Sequence, residues 1–146
     1  MIREIIEVDA KYREQIKRFI HKVGLVWTPE CEDAQFLVMD NKGVWAAVIG
    51  IAKNHTHAIL RTMVLDPKQC DGDDLMRLLT AAIAKAESLH AEGLYFLTMA
   101  SADLFEPLGF VEIPFTELPN ELQKDPLFTK EKSNSARVMQ YTIESD

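Results

Sequence analysis

Ala58-Ile59-Leu60-Arg61-Thr62-Met63-Val64-Leu65-Asp66-Pro67-Lys68-Gln69-Cys70-Asp71-Gly72-Asp73-Asp74 is the stretch on which the reading of the chain turns. Its first eight residues are apolar except Arg61 and Thr62, as expected of a strand covered on both faces. Asp66-Pro67 stops that strand, since proline lacks a main-chain donor and restricts the residue before it. Asp71, Asp73 and Asp74 then open a helix, at the end where the macrodipole favours anions. Leu75, Leu78, Leu79, Ala82, Ile83, Ala86 and Leu89 follow at spacings of three and four. This stripe predicts one long helix over about Asp73 to Glu92, closed by Gly93.

Upstream, Ile2 to Val8 alternates as a first strand, and Asp9 can cap a helix to about Val23 with Tyr12, Ile16, Phe19, Ile20 and Val23 on its apolar face. Gly24 stops it, and Leu25 to Asp33 reads as irregular chain or a short helix. Phe36 to Met39 and Val44 to Ala52 are apolar runs joined by the turn Asp40-Asn41-Lys42-Gly43. Asn54-His55-Thr56 joins the second run to Ala58 to Leu65, so the three form an antiparallel meander. Downstream, Leu94 to Met99 is a buried strand. Ser101 caps a short helix through Leu108, Gly109 ends it, and Phe110 to Ile113 is another strand. Residues 114–134, with Pro114, Pro119 and Pro126, read as a long connection. Arg137 to Ile143 adds a last strand. The pattern predicts a mixed α/β layer fold with one central, mostly antiparallel sheet flanked by helices.

The chain has 146 residues, with no repeat or low-complexity tract, and is expected to be a single domain over 1–146. Lys plus Arg total 16 against 23 Asp plus Glu, so the net charge is -7, which opposes nucleic acid and anionic membrane as partners. No apolar run is long enough to span a bilayer, and Met1-Ile2-Arg3-Glu4 carries no signal-peptide pattern, so a cytoplasmic location is expected. Cys31 and Cys70 are too few for a disulfide scaffold and lack metal-ligand spacing.

The strand-loop-helix at 58–92 and the segment Ala102-Asp103-Leu104-Phe105-Glu106-Pro107-Leu108-Gly109-Phe110 together resemble the GNAT superfamily of N-acetyltransferases. Val64-Leu65-Asp66-Pro67 lies where that family's fourth strand ends. Gln69-Cys70-Asp71-Gly72-Asp73-Asp74 lies at its pyrophosphate loop, Gln/Arg-x-x-Gly-x-Gly/Ala. The resemblance covers about residues 1–115 and is firmest over 58–113. Leu60-Arg61, Leu97-Thr98, Leu118-Pro119 and Arg137-Val138 look most like the branch containing N-acetylglutamate synthase.

The resemblance implies a sheet splayed at strands 4 and 5 and acetyl-CoA as acyl donor, with a small amine or amino acid attacking the thioester directly. It implies that the main chain of Met63 and Val64 polarises the thioester. Met63, Val64, Leu65, Gln69, Cys70, Asp71, Gly72, Asp73, Asp74, Ser101 and Phe105 would hold the cofactor. Trp27 and Arg61 would meet the acceptor, and the resemblance also admits a homodimer. Unpaired main-chain donors at a splayed edge suit such a role.

Two departures matter. Asp74 replaces the loop's final small residue, and Asp66, Asp71, Asp73 and Asp74 face only Lys68. An aspartate can also cap the helix itself and compete for the loop amides. Weakened acetyl-CoA binding is expected, and a non-catalytic GNAT-fold binding or regulatory module is the alternative function. Phe105 stands where many relatives carry a tyrosine acid, and phenylalanine has no proton to donate.

The other candidates each carry two readings. His55 and His57 are a general base or exposed turn histidines, the latter favoured. Cys70 is a helix-start thiolate or an inert thiol, the latter favoured. Glu30, Glu32 and Asp33 recognise a cationic amine or form a solvated turn. Arg61 binds an acceptor carboxylate or a structural partner, and Arg137 has the same pair of readings.

Overall fold

A computed structural model describes residues 4–131 and 136–143, with only the main chain of Glu30, Lys130 and Glu131. Among the described residues there are seven strands: β1 (Glu4–Val8), β2 (Gln35–Asn41), β3 (Val44–Asn54), β4 (His57–Leu65), β5 (Gly93–Thr98), β6 (Val111–Ile113) and β7 (Arg137–Thr142). The helices are α1 (Arg13–Lys22), α2 (Gly72–Ser88), α3 (Asn120–Gln123) and α4 (Pro126–Glu131). The strands hydrogen-bond in the order β1-β2-β3-β4-β5-β7-β6. Every pairing with a resolved register is antiparallel except β4 with β5. The expected mixed α/β architecture is therefore present.

The contacts divide the chain into two compact units: Met1–Ile51 with Arg61–Ala82, and Ala52–Leu60 with Ile83–Asp146. In the first, α1 lays Ile16, Phe19 and Ile20 onto a core of Val8, Phe36, Val38, Trp45, Val48 and Val64. Tyr12, expected on that buried face, is 36% exposed, because the chain enters the helix through a 3-10 turn, Ala10–Tyr12, capped by Asp9. The β2–β3 hairpin closes on Lys42 (φ 53°) and Gly43 (φ 90°), the paired positive angles of a type I′ turn. Gly50 leaves no room for a side chain. A Cβ there would lie 2.8 Å from Phe36 Cε1 and 3.2 Å from Thr62 Cγ2.

In the second unit Ile59, Tyr95, Ile113, Leu118, Leu122, Phe128 and Val138 form the core. The connection expected at 114–134 is folded over most of its length: the 3-10 turn Phe115–Glu117, then α3 and α4. Its last part, 132–134, lies outside the described residues, as do Ile2 and Arg3 of the expected first strand. Pro119 is the residue before α3 and Pro126 the first of α4, positions where a missing N–H costs nothing. Within the connection expected from the sequence, these prolines mark helix starts. The helix expected over Ser101–Leu108 is instead two 3-10 turns, Ala102–Leu104 and Glu106–Leu108, with Gly109 at φ 100° after them. The long helix also stops earlier than expected. It ends at Ser88, and His90, at φ 59°, takes the left-handed position given to Gly93, which begins β5.

Candidate functional site

The strand β4 leaves its partner early. Its parallel ladder with β5 holds His57, Ala58 and Ile59 against Gly93, Leu94 and Tyr95, while β4 runs on to Leu65. Val64 is 2% exposed and belongs to the core of the first unit, whereas Met63 and Leu65 are half-buried. Past Ile59, the edge of β4 that faced β5 presents main-chain groups outside that ladder, which suits them to a ligand's amides or carbonyl.

The loop after β4 is occupied by its own carboxylates. Asp66 is 7% exposed and its Oδ1 accepts from the Lys68 amide at 3.0 Å. Its carbonyl accepts from the amides of Gln69 and Cys70 at 2.9 and 3.0 Å. Gln69 turns its side chain inward, donating to the Trp45 carbonyl at 3.2 Å and to Asp66 Oδ2 at 2.9 Å. The Gln69 contact, followed by the Lys68 amide, holds the Asp66 carboxyl below its ordinary value of 3.8. Cys70 donates its thiol to the Ala46 carbonyl at 3.2 Å.

Asp71 and Asp74 then cap each other. The Asp71 amide donates to Asp74 Oδ2 at 3.0 Å, and the Asp74 amide to Asp71 Oδ1 at 3.1 Å. This is a capping box with aspartate at both ends of the four-residue span. The amides of Lys68, Gln69, Cys70, Asp71 and Asp74 are thus bound within the protein, which leaves those of Gly72 and Asp73 for a ligand. A diphosphate finds here two amides and four carboxylates. The residues of this loop do not fit that part of a CoA molecule, whereas the edge of β4 fits an acyl-pantetheine arm.

Phe105, assigned to the cofactor on the resemblance, is 1% exposed and meets Phe96 edge-on at 5.0 Å between ring centroids. It is a core residue with no surface to offer a ligand. Ser101 is exposed and accepts from the Asp103 amide at 3.4 Å.

The acceptor candidates are partnered within the first unit. Arg61 is nearly buried, with 7% of its side chain exposed, and grips Asp33 with two bonds of 3.2 Å, Nε to Oδ1 and Nη2 to Oδ2. Glu32 binds Arg13 through Oε2 and accepts from Trp27 Nε1 at 2.9 Å. Trp27 lies 5.7 Å from Phe36, with Lys17 and Arg13 over its ring. Glu32 and Asp33 do lie in an exposed turn, as one reading expected, and there they hold cations of the chain itself; the Glu30 side chain lies outside the described residues. Arg13 also borders a cavity of about 490 Å³ with Glu7, Asp9, Ile16 and Phe36 in its wall, which the sequence reading missed. Charged residues at a strand end and a helix start were its only signal.

In the second unit His57 is not an exposed turn residue. Only 12% of its side chain is exposed, its Nε2 is 3.6 Å from Glu121 Oε2, and its ring meets Tyr95 edge-on. Its Nδ1 is buried without a hydrogen bond. Glu121 titrates below its ordinary 4.5, first through its own main-chain amide, against the opposing effect of burial, then through His55 and His57. His55 occupies the turn at φ 57° with Nδ1 2.7 Å from Asn54 Oδ1. Arg137 is half-buried on β7 opposite Thr98. Among the described residues no group of three His, Cys, Asp or Glu could hold a metal ion, and no helix is long and apolar enough to cross a membrane.

The structure superposes on N-acetylglutamate synthase from Neisseria gonorrhoeae, solved with coenzyme A and N-acetyl-glutamate, with a TM-score of 0.76 at 17% identity. The match covers 99% of this chain but 36% of the synthase. A GNAT-family acetyltransferase from Staphylococcus aureus matches at TM-score 0.68 and 17% identity, covering 98% of this chain and 100% of the other. The chain has the fold of the GNAT acetyltransferases. A Mycobacterium tuberculosis protein in complex with CoA shares this GNAT fold at TM-score 0.75 and 15% identity, covering 97% and 99%. No protein-family model matches the sequence, and no curated protein matches it. The expected GNAT fold, with its strand-loop-helix at 58–88, is thus found in a chain far diverged in sequence.

Proposed function

We propose that this chain transfers an acyl group from a CoA-type thioester to a small amine or amino acid. The observation that carries this reading is the edge of β4 beyond Ile59, whose main chain has left its ladder with β5. In the reaction the amine nitrogen forms the new C–N bond and the C–S bond breaks. The proton lost from nitrogen ends on the departing sulfur. A main-chain amide at Met63 or Val64 supports the oxygen as it gains charge, in a site where fixed dipoles need no reorganisation. Phe105 supplies no proton, so the thiolate leaves without an acid from that position. The carboxylates Glu7 and Asp9 on the rim of the 490 Å³ cavity suit a cationic amine, and its size lies in the usual ligand range.

The neighbours' complexes with coenzyme A support the donor class. The test is thiol release from acetyl-CoA or S-acetyl-pantetheine in the presence of pooled primary amines and amino acids. Amine-dependent release above the uncatalysed rate is expected; none with any pool defeats the reading. The self-capped loop and the buried Phe105 favour a second reading, a non-catalytic GNAT-fold module, and the same null result would support it.

A further inference from the structure

We infer that the donor is recognised by its acyl-pantetheine arm alone, so that the diphosphate of CoA adds nothing to binding. The inference rests on the acyltransferase reading above and narrows its substrate class to pantetheine thioesters, whatever is attached beyond the arm.

The argument starts from the main-chain donors of the loop. A diphosphate is held at a helix start by converging amides together with the positive end of the helix. Here five amides of residues 68–74 already donate within the chain, to Asp66 Oδ1, the Asp66 carbonyl, Asp71 Oδ1 and Asp74 Oδ2. The Asp71–Asp74 pair satisfies two amides of the helix start and sets two carboxylates against its positive end, in the manner of a capping box. Gln69 is turned away, fixed to Trp45 and Asp66. Asp66 stays ionised, because its carboxyl is held below the ordinary range by bonds that an anion would not relieve. An approaching diphosphate would have to displace a carboxylate to gain the amide of Lys68, Asp71 or Asp74 and the Asp66 carbonyl to gain those of Gln69 and Cys70, and the two amides left, of Gly72 and Asp73, lie among four carboxylates. No comparable obstacle exists on β4. Its edge beyond Ile59 needs only an amide and a carbonyl to pair with, and the pantetheine arm carries two amide groups of the right kind.

The pair of probes that separates the two halves of the donor is acetyl-CoA and S-acetyl-pantetheine. Both are titrated into the isotopically labelled 146-residue chain and followed by amide NMR. Similar dissociation constants are expected, within about threefold of each other, since each lost tenfold corresponds to about one charge-assisted contact. Both ligands should move Met63, Val64 and Leu65, and neither should move Gly72 and Asp73 more than the other does. Acetyl-CoA binding more than about thirtyfold tighter, with Gly72 and Asp73 shifting, overturns the inference and leaves the acyltransferase reading standing. Absence of any shift at Met63–Leu65 with both probes at millimolar concentration overturns the acyltransferase reading, and this inference with it.

Discussion

Replacing Asp74 by alanine should move stability and coenzyme binding in opposite directions. Asp74 is 8% exposed, and its Oδ2 occupies the Asp71 amide. Alanine removes one half of the capping box and one anion from the helix start. Loss of a side-chain cap costs about 1 kcal/mol, within a range of roughly 0.5–2. For a domain of this size that is a fall in Tm of about 2–6 °C. Coenzyme binding should gain. A carboxylate about 5 Å from a phosphate repels it by roughly 1 kcal/mol at the dielectric of water and about 3 kcal/mol at an effective value near 20. Removing it should therefore tighten free CoA by about fivefold to a few hundredfold, with the Asp71 amide released as an added donor. Calorimetry with CoA and a thermal melt of the same preparation measure both quantities. A melt that falls while CoA affinity stays within twofold of the parent would refute the claim that self-capping is what blocks the diphosphate.

Three further substitutions test other parts of the structure. Asp66→Asn should destabilise the protein at pH 7. The folded carboxyl is held below its ordinary value of 3.8, so its contribution is present above that pH and lost as pH falls through the lower folded value. The stability gap between the parent and this variant, measured in urea, should be constant from pH 7 to 5 and close below about pH 4. Phe105→Tyr should cost about 1–3 kcal/mol, since it buries a hydroxyl among Phe96 and its neighbours, and should not raise the rate of thiol release. A faster variant would reinstate position 105 as an acid site. Asp33→Asn should cost about 1–2 kcal/mol by denaturant melt, because Arg61 would lose its two-point carboxylate partner while remaining nearly buried.

The order of elements was legible because it rests on local chemistry. The period of the α2 stripe, the positive-φ turn at Lys42-Gly43 and the stop at Asp66-Pro67 are each decided within a few residues. The folded nature of 114–131 was hidden because its helices are a turn or two long, too short for a stripe to be read. The helix end at His90 was missed because a non-glycine in the left-handed region leaves no compositional mark. Competition for the loop amides could be foreseen from four aspartates in nine residues. Which oxygen takes which amide could not, and that assignment decides what the loop can bind. His57 was misjudged because its burial depends on Glu121 and Tyr95, residues distant in sequence.

Gly50 has a consequence for how this sequence can change. By leaving its position empty, it makes Phe36 of β2 and Thr62 of β4 neighbours across the intervening strand β3. Packing of that kind conserves a summed volume rather than either residue. In a set of relatives positions 36 and 62 should therefore drift together, a larger group at one matched by a smaller at the other, and Gly50 should stay fixed for as long as the pair fills its place. Two positions twenty-six residues apart, on strands that do not pair, would then carry a statistical signature that strand pairing alone would never suggest.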